Sequence, residues 1–253
     1  MMKNKDGKGE SGQQGLIQET VNRKASGVKY MFSAIAGEYD FFNHALSLNI
    51  DRLWRRRARK ILAPHLDPGS SILDLCTGTG DLAIELQKIG PVTGCDFCRP
   101  MLEIAERKLE RKKLSSRVTL IEGDGIKLPF ADNCFSAVAL AFGFRNMENY
   151  EQALEEFFRV TKPGGYLMIL DFSLPERKFL RNLYLVYLAR VLPLAGKILS
   201  GVIGPYQYLP ASVQAFPERR EIEKQMAQAG FRSLLTRNLT FGIATVYLAR
   251  KVQ

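Results

Sequence analysis

The chain runs to 253 residues, 46% hydrophobic and 25% charged, with 36 Lys and Arg against 26 Asp and Glu and a formal net charge of +10. That balance is ordinary for a globular protein able to bury a sizeable core in one large domain or two small ones, and its charge raises an anionic partner without identifying one. Four cysteines, at 76, 95, 98 and 134, exclude a disulfide scaffold and imply a reducing, cytoplasmic setting; Cys95-x-x-Cys98 lacks the second ligand pair of a structural zinc site, so no metal is expected.

Residues 1–21, opening MMKNKDGKGESGQQG, mix both charge signs with glycine and lack the apolar core of a secretory signal. A disordered tail is expected there, and a single domain over 22–253. From 22 to 66 the pattern is a helical preface: 28-VKYMFSAIAGEYDFFN-43 spaces its aromatics helically, and 51-DRLWRRRARKILAPHL-66 has a basic face that stops at Pro64. From Ser71 short apolar runs alternate with charged helical stretches. Strands are expected at 71–76, 92–96, 117–122, 135–142 and 166–171, and helices at 82–88, 101–112 and 150–160. Such alternation implies an α/β, Rossmann-like, mostly parallel sheet with helices on both faces.

Pro175 breaks the pattern. Residues 175–216 are helical, aromatic and Pro-rich, and read as an insertion over the sheet; its most apolar piece, 179–204, is interrupted by Arg181, Arg190, Pro193 and Lys197, short of the roughly 18 uncharged residues of a membrane span. An amphipathic helix, 218-ERREIEKQMAQAGF-231, precedes two final strands around 232–238 and 243–250, which bring the sheet to seven.

The segment 72-ILDLCTGTGDL-82 places a glycine turn after the first strand, where open α/β sheets bind ligands. Gly78 and Gly80 allow close backbone approach, and the following helix offers its N-terminal amides. The spacing Gly78, Gly80, Ala83 also fits a dinucleotide turn. Three acids at successive strand ends separate the candidates. Asp74 would oppose a pyrophosphate but suit the ammonium group of S-adenosylmethionine. Asp96 ends the second strand, about 20 residues on, where an acid can hold ribose hydroxyls. Asp124 follows the third, able to accept from an adenine amino group while the Gly125 N–H donates to the ring. Each alone also reads as a cap or turn residue; jointly they favour S-adenosylmethionine. An NAD-dependent oxidoreductase, wanting an uncharged residue at position 74 and a catalytic Tyr-x-x-x-Lys, stands as the alternative. The run 55-RRRARK-60 reads as one solvated helix face, so no nucleic-acid partner is expected.

Beyond these features the sequence resembles the class I methyltransferases, and within them the menaquinone and ubiquinone biosynthesis C-methyltransferases. The resemblance covers about 28–251 and rests on 39-YDFFNHALSLNIDRLW-54, the glycine turn, 142-FGFRN-146, 159-RVTKPGG-165 with 171-DFS-173, 206-YQYLPASVQAFP-217, 229-AGF-231 and 239-LTFGI-243. It implies a class I fold with an N-terminal helical lid, S-adenosylmethionine as cofactor, and ring methylation of a polyprenyl quinol, demethylmenaquinol to menaquinol, with a ubiquinone-pathway benzoquinol as the other acceptor. It points to Thr79, Asp96, Asp124, Gly125 and Ala141 as cofactor contacts, Ala141 standing where the family usually has serine. At the acceptor it implies Arg145 stabilising a developing oxyanion, Asn146 orienting the hydroxyl and Tyr39 contacting the ring, with Asp40 or His44 moving the proton. Aromatics of 179–216 (Phe179, Tyr184, Tyr187, Tyr206, Tyr208) would line a channel for the prenyl tail. A polyprenyl acceptor further implies peripheral contact with the inner face of the membrane through Arg55, Arg56, Arg57 and Lys178, and the resemblance admits a homodimer.

Overall fold

The computed structural model describes residues 25–38, 47, 49–191, 194 and 204–252. The expected tail, Tyr39, Asp40 and His44 lie outside them. Seven strands form one sheet: β1 (Ile72–Leu75), β2 (Val92–Asp96), β3 (Val118–Glu122), β4 (Phe135–Ala141), β5 (Thr161–Phe172), β6 (Phe231–Leu239) and β7 (Ala244–Lys251). Their order is β3-β2-β1-β4-β5-β7-β6. The first five pair in parallel, and β7 runs antiparallel to both β5 and β6. Strand order reverses between β1 and β4, so the crevice beyond their carboxyl ends is the switch point at which such sheets take ligands.

Side-chain alternation along the strands builds two core layers. On β4, Val138 and Leu140 join Leu73, Leu75, Phe157 and Ile222 on one face, while Ala137 and Ala139 join Ile72, Leu86, Met168 and Leu170 on the other. The second layer is closed by α2 (Ile50–Leu62), through Trp54, Ala58 and Leu62, and by α3 (Asp81–Leu86). The first is closed by α5 (Tyr150–Val160) and α8 (Arg219–Gln228). Each large apolar side chain so buried contributes about 1.5–3 kcal/mol. β1, wholly buried, is covered on both faces, whereas the edge strand β6 is mostly exposed.

Four further helices position the site. α1 (Ala25–Ile35) is fastened to α4 (Arg99–Arg111) by Phe32, Ala36, Cys98 and Met101. α6 (Lys178–Val186) continues as a π turn over Tyr187–Val191 and packs with α7 (Gly204–Ala215) through Tyr184, Leu188 and Val213. The sheet agrees with the alternating pattern, with one difference in extent. β5 begins at Thr161, not 166, because Thr161 pairs with Phe135 before a register shift that absorbs the KPGG turn into the strand. Among the described residues no helix is long and apolar enough to cross a membrane.

Candidate functional site

A cleft opens at the carboxyl ends of β1, β2 and β4, lined by Gly78, Asp96, Asp124, Gly125, Ala141 and Asn146 among the residues expected there, and roofed by Val28 and Phe32 of α1. Its floor depends on left-handed backbone. Gly78 and Gly80 sit at φ 54° and 83°, and Cys76 and Phe142 adopt φ 51° and 62° without being glycine. Such conformations cost side-chain-bearing residues free energy and cluster at functional sites. Gly143 separates the two: a Cβ there would stand 2.4 Å from the Cβ of Cys76, so the FGFRN loop can meet the turn only with glycine at that position.

Asp96 holds the turn in place. Its Oδ2 accepts from the Gly78 amide at 2.8 Å and its Oδ1 from the Cys98 amide at 2.9 Å. Burial raises this carboxyl to about 6, against the downward pull of those amides. Asp124 closes a turn, its Oδ1 accepting from the Ile126 amide at 3.1 Å. Burial pushes the Cys76 thiol well above its ordinary range, so it offers no thiolate nucleophile. Among the described residues the lining holds three carboxylates, Asp96, Asp124 and Glu148, and neither lysine nor arginine. Glu148 escaped the sequence reading because it carries no motif beyond following Met147 out of the FGFRN loop.

Four residues expected at the ligand do not lie in the cleft wall. Asp74 is fully buried inside β1 and accepts from the Thr77 hydroxyl at 2.6 Å, so it braces the turn from behind; burial raises it to about 7, partly offset by that hydroxyl. Thr79 points toward α4, its hydroxyl accepting from Lys108 Nζ at 3.1 Å. Gly80 caps α3 and abuts α4, where a Cβ added to it would stand 3.3 Å from the Cβ of Ala105. Arg145 turns inward: Nη1 donates to Asp171 Oδ1 at 2.9 Å and to the Phe142 carbonyl, its backbone amide donates to Asp171 Oδ2 at 3.0 Å, and the guanidinium lies 5.1 Å over the Phe172 ring. The physical reason is a buried partner: Asp171, wholly inaccessible, draws the only kind of group that makes its burial tolerable.

Asn146 does face the cleft. Its Oδ1 accepts from the Tyr208 hydroxyl at 2.6 Å, so α7 reaches the site through a hydrogen bond and not only as channel lining. A second, apolar cavity of about 590 Å³ lies between α2, α6 and the 240–243 loop, lined by Trp54, Phe172, Tyr184, Tyr187, Leu188 and Ile243, among others. Phe142 of the cleft and Phe172 of this cavity meet as a tilted pair with centroids 4.8 Å apart. The side chain of Tyr206 lies outside the described residues.

The cleft fits S-adenosylmethionine and not a dinucleotide. A pyrophosphate would meet three carboxylates with no cation in the lining to offset them, whereas an ammonium and sulfonium ligand finds complementary charge. A Tyr-x-x-x-Lys spacing does occur, at Tyr247 and Lys251, but it lies on β7, where Lys251 Nζ donates to Asn133 Oδ1 and to the carbonyls of Phe158 and Thr161. Among the described residues no three His, Cys, Asp or Glu gather as a metal site requires.

Comparison with known proteins agrees with this geometry. The sequence model of the ubiE/COQ5 methyltransferase family matches residues 18–251. A demethylmenaquinone methyltransferase of Thermus thermophilus is 48% identical over 221 residues, covering 86% of this chain and 98% of the relative. The ubiquinone/menaquinone biosynthesis C-methyltransferase UbiE of Geobacter sulfurreducens is 40% identical over 235 residues, covering 91% of each. Among solved structures, a SAM-dependent methyltransferase from Aquifex aeolicus superposes with a TM-score of 0.58 at 24% identity, over 79% of this chain and 93% of that one, which shows the shared fold.

Proposed function

The chain belongs to the ubiE/COQ5 methyltransferase family, and from that premise we propose that it methylates a ring carbon of a polyprenyl hydroquinone, converting demethylmenaquinol to menaquinol in respiratory quinone biosynthesis. The observation that carries the reading is the charge of the cleft: among the described residues its lining has three carboxylates and no cation, at the sheet's switch point, in a chain with 36 Lys and Arg. S-adenosylmethionine, when bound, supplies an electrophilic methyl group on a sulfonium. The remaining work belongs to the chain. Asp96 would hold the ribose hydroxyls, and Asp124 with the Gly125 amide the adenine, while Gly78 and the backbone of Ala141 leave room for close approach.

On the acceptor side the ring carbon becomes nucleophilic as its neighbouring phenol loses a proton, so an oriented donor at the phenol oxygen lowers the barrier. Asn146 is that donor. Tyr208 occupies its Oδ1, and its Nδ2, which donates to the Phe142 carbonyl at 3.4 Å, keeps a second N–H for an acceptor oxygen. Arg145 acts through others: its bonds to Asp171 and the Phe142 carbonyl hold the loop that carries Asn146, making it a positioning residue. The apolar cavity behind Phe172 suits the prenyl tail.

The test is methylation of chemically reduced demethylmenaquinone, with a benzoquinol acceptor in parallel, read by mass spectrometry as one methyl gained on the ring. Turnover of the naphthoquinol is expected. Methylation of the benzoquinol alone would overturn the acceptor, and calorimetric binding of NADH without S-adenosylhomocysteine would overturn the reaction class.

A further inference from the structure

Resting on the polyprenyl-acceptor reading, we propose that the rim of the apolar cavity is a docking face for an anionic lipid bilayer, with Phe179 and Phe241 entering the headgroup layer. Phe179, Leu183 and Val186 fall at i, i+4 and i+7 on α6 and so share one face; all three are exposed, Phe179 at 78%. Leu183 and Val186 also line the cavity, so its apolar interior runs without a polar break onto the surface. Across the mouth stands Phe241, 79% exposed. It sits in left-handed backbone at φ 58°, next to Thr240 at φ 44°. The Trp54 indole N–H bonds the Thr240 hydroxyl at 2.8 Å, and Arg219 Nη2 bonds the Gly242 carbonyl at 3.3 Å. A costly turn, held from both sides, therefore presents an aromatic ring to the exterior. Leu53, 58% exposed, lies one turn along α2 from cavity-lining Ile50 and so adjoins the same rim. A contiguous apolar rim around an apolar cavity is unlike singly scattered surface residues.

Charge selects the occupant. Residues 50–62 and 177–191 together carry ten Lys and Arg; Arg56 and Arg59 pair with Glu85 of α3 and Arg55 with the one acid of these segments, Asp51, leaving seven for the surface. That acid is buried. Arg177 and Lys178 are exposed just before Phe179, and Arg57 one turn beyond Leu53. Aromatic tips flanked by cations are complementary to anionic headgroups over an apolar interior. A second copy of the chain on this face would set cations against cations, which disfavours it. Docked in this way, a prenyl tail passes from the bilayer into the cavity without crossing water.

The full chain is expected to co-sediment with phosphatidylcholine vesicles containing phosphatidylglycerol, and about tenfold less with pure phosphatidylcholine or in high salt. The pairs Phe179→Ser with Leu53→Ser, and Lys178→Glu with Arg57→Glu, should each lower vesicle binding about tenfold. Neither pair lines the cleft or the cavity, so methylation of a short-tailed, water-soluble quinol should stay at the unmodified rate. Vesicle binding retained by both pairs overturns the docking face. So does a dimer, seen by analytical ultracentrifugation, that dissociates on Phe179→Ser with Leu53→Ser, since the face would then belong to a second copy. Failure of the unmodified chain on the short-tailed quinol strikes the quinol reading instead, and the vesicle measurement separates the two.

Discussion

The cleft beyond β1 and β4 and the outer face of α2 and α6 carry opposite charge within one small molecule. The cleft sets Asp96, Asp124 and Glu148 in its wall, with no cation among the described residues there. The outer face exposes Arg57, Arg177 and Lys178, and the one acid of residues 50–62 and 177–191, Asp51, is buried against Arg55. The two regions also differ in construction: the cleft is made of tight turns at the ends of buried strands, whereas the outer face is made of two helices that flank one apolar cavity. A net charge of +10 therefore describes the surface on which the protein approaches something, and says nothing of what the site binds.

Substitutions can break this contrast, beginning with the largest expected effect. Arg145→Ala strips the partner from buried Asp171 and should destabilise the fold by roughly 3–5 kcal/mol, measured by urea unfolding. Unchanged stability with lost turnover would return Arg145 to the reacting oxygen. Asp96→Asn removes charge from the cleft while keeping an acceptor, and should weaken S-adenosylhomocysteine by about 1.5–3 kcal/mol in calorimetry. Arg57→Ala, on the outer face, should leave that affinity untouched. Because Asp96 takes up a proton as pH falls through about 6, affinity of the unmodified chain should drop there, and that of Asp96→Asn should not.

Asp74 sharpens the same contrast through stability. Its folded-state value of about 7 lies above the ordinary 3.8, so between those values the folded chain holds a proton that the unfolded chain releases. Its contribution to stability therefore falls as pH rises from about 4 to about 7. Asp74→Asn should unfold later than the unmodified chain at pH 8, by on the order of 1–2 kcal/mol, and lose that advantage near pH 4. The smallest effect is expected of Tyr208→Phe, which deletes one hydrogen bond worth about 1 kcal/mol. Turnover should fall about fivefold with cofactor affinity unchanged, consistent with that same bond energy; a change in affinity alone would show that Tyr208 does not act through Asn146.

Much of this was legible in the chain. β2 and α5 lie where their patterns put them, since Pro91 bounds the strand and the Asn149 side chain, accepting from the Gln152 amide at 3.1 Å, starts the helix. Asp96 and Asp124 follow strand ends, where position alone brings a side chain toward the crevice. Asp74 misleads because it falls within its strand, where alternation sends the side chain into a sheet face instead. Arg145 was legible as a residue with a task, but its partner stands 26 positions away on β5, a pairing that no local pattern contains. The left-handed turn at Thr240 and Phe241 was equally hidden, since neither residue type announces that backbone.

Phe142 of the acidic cleft and Phe172 of the apolar cavity meet as a tilted pair, so the two chambers are joined by a direct contact. Thermodynamic linkage then binds the two occupants: whatever factor a ligand in the cleft applies to affinity in the cavity, the cavity's occupant must return in full. Any coupling that these two rings carry would make each chamber's dissociation constant depend on whether the other is filled, so each constant is defined only for a stated occupancy of its neighbour.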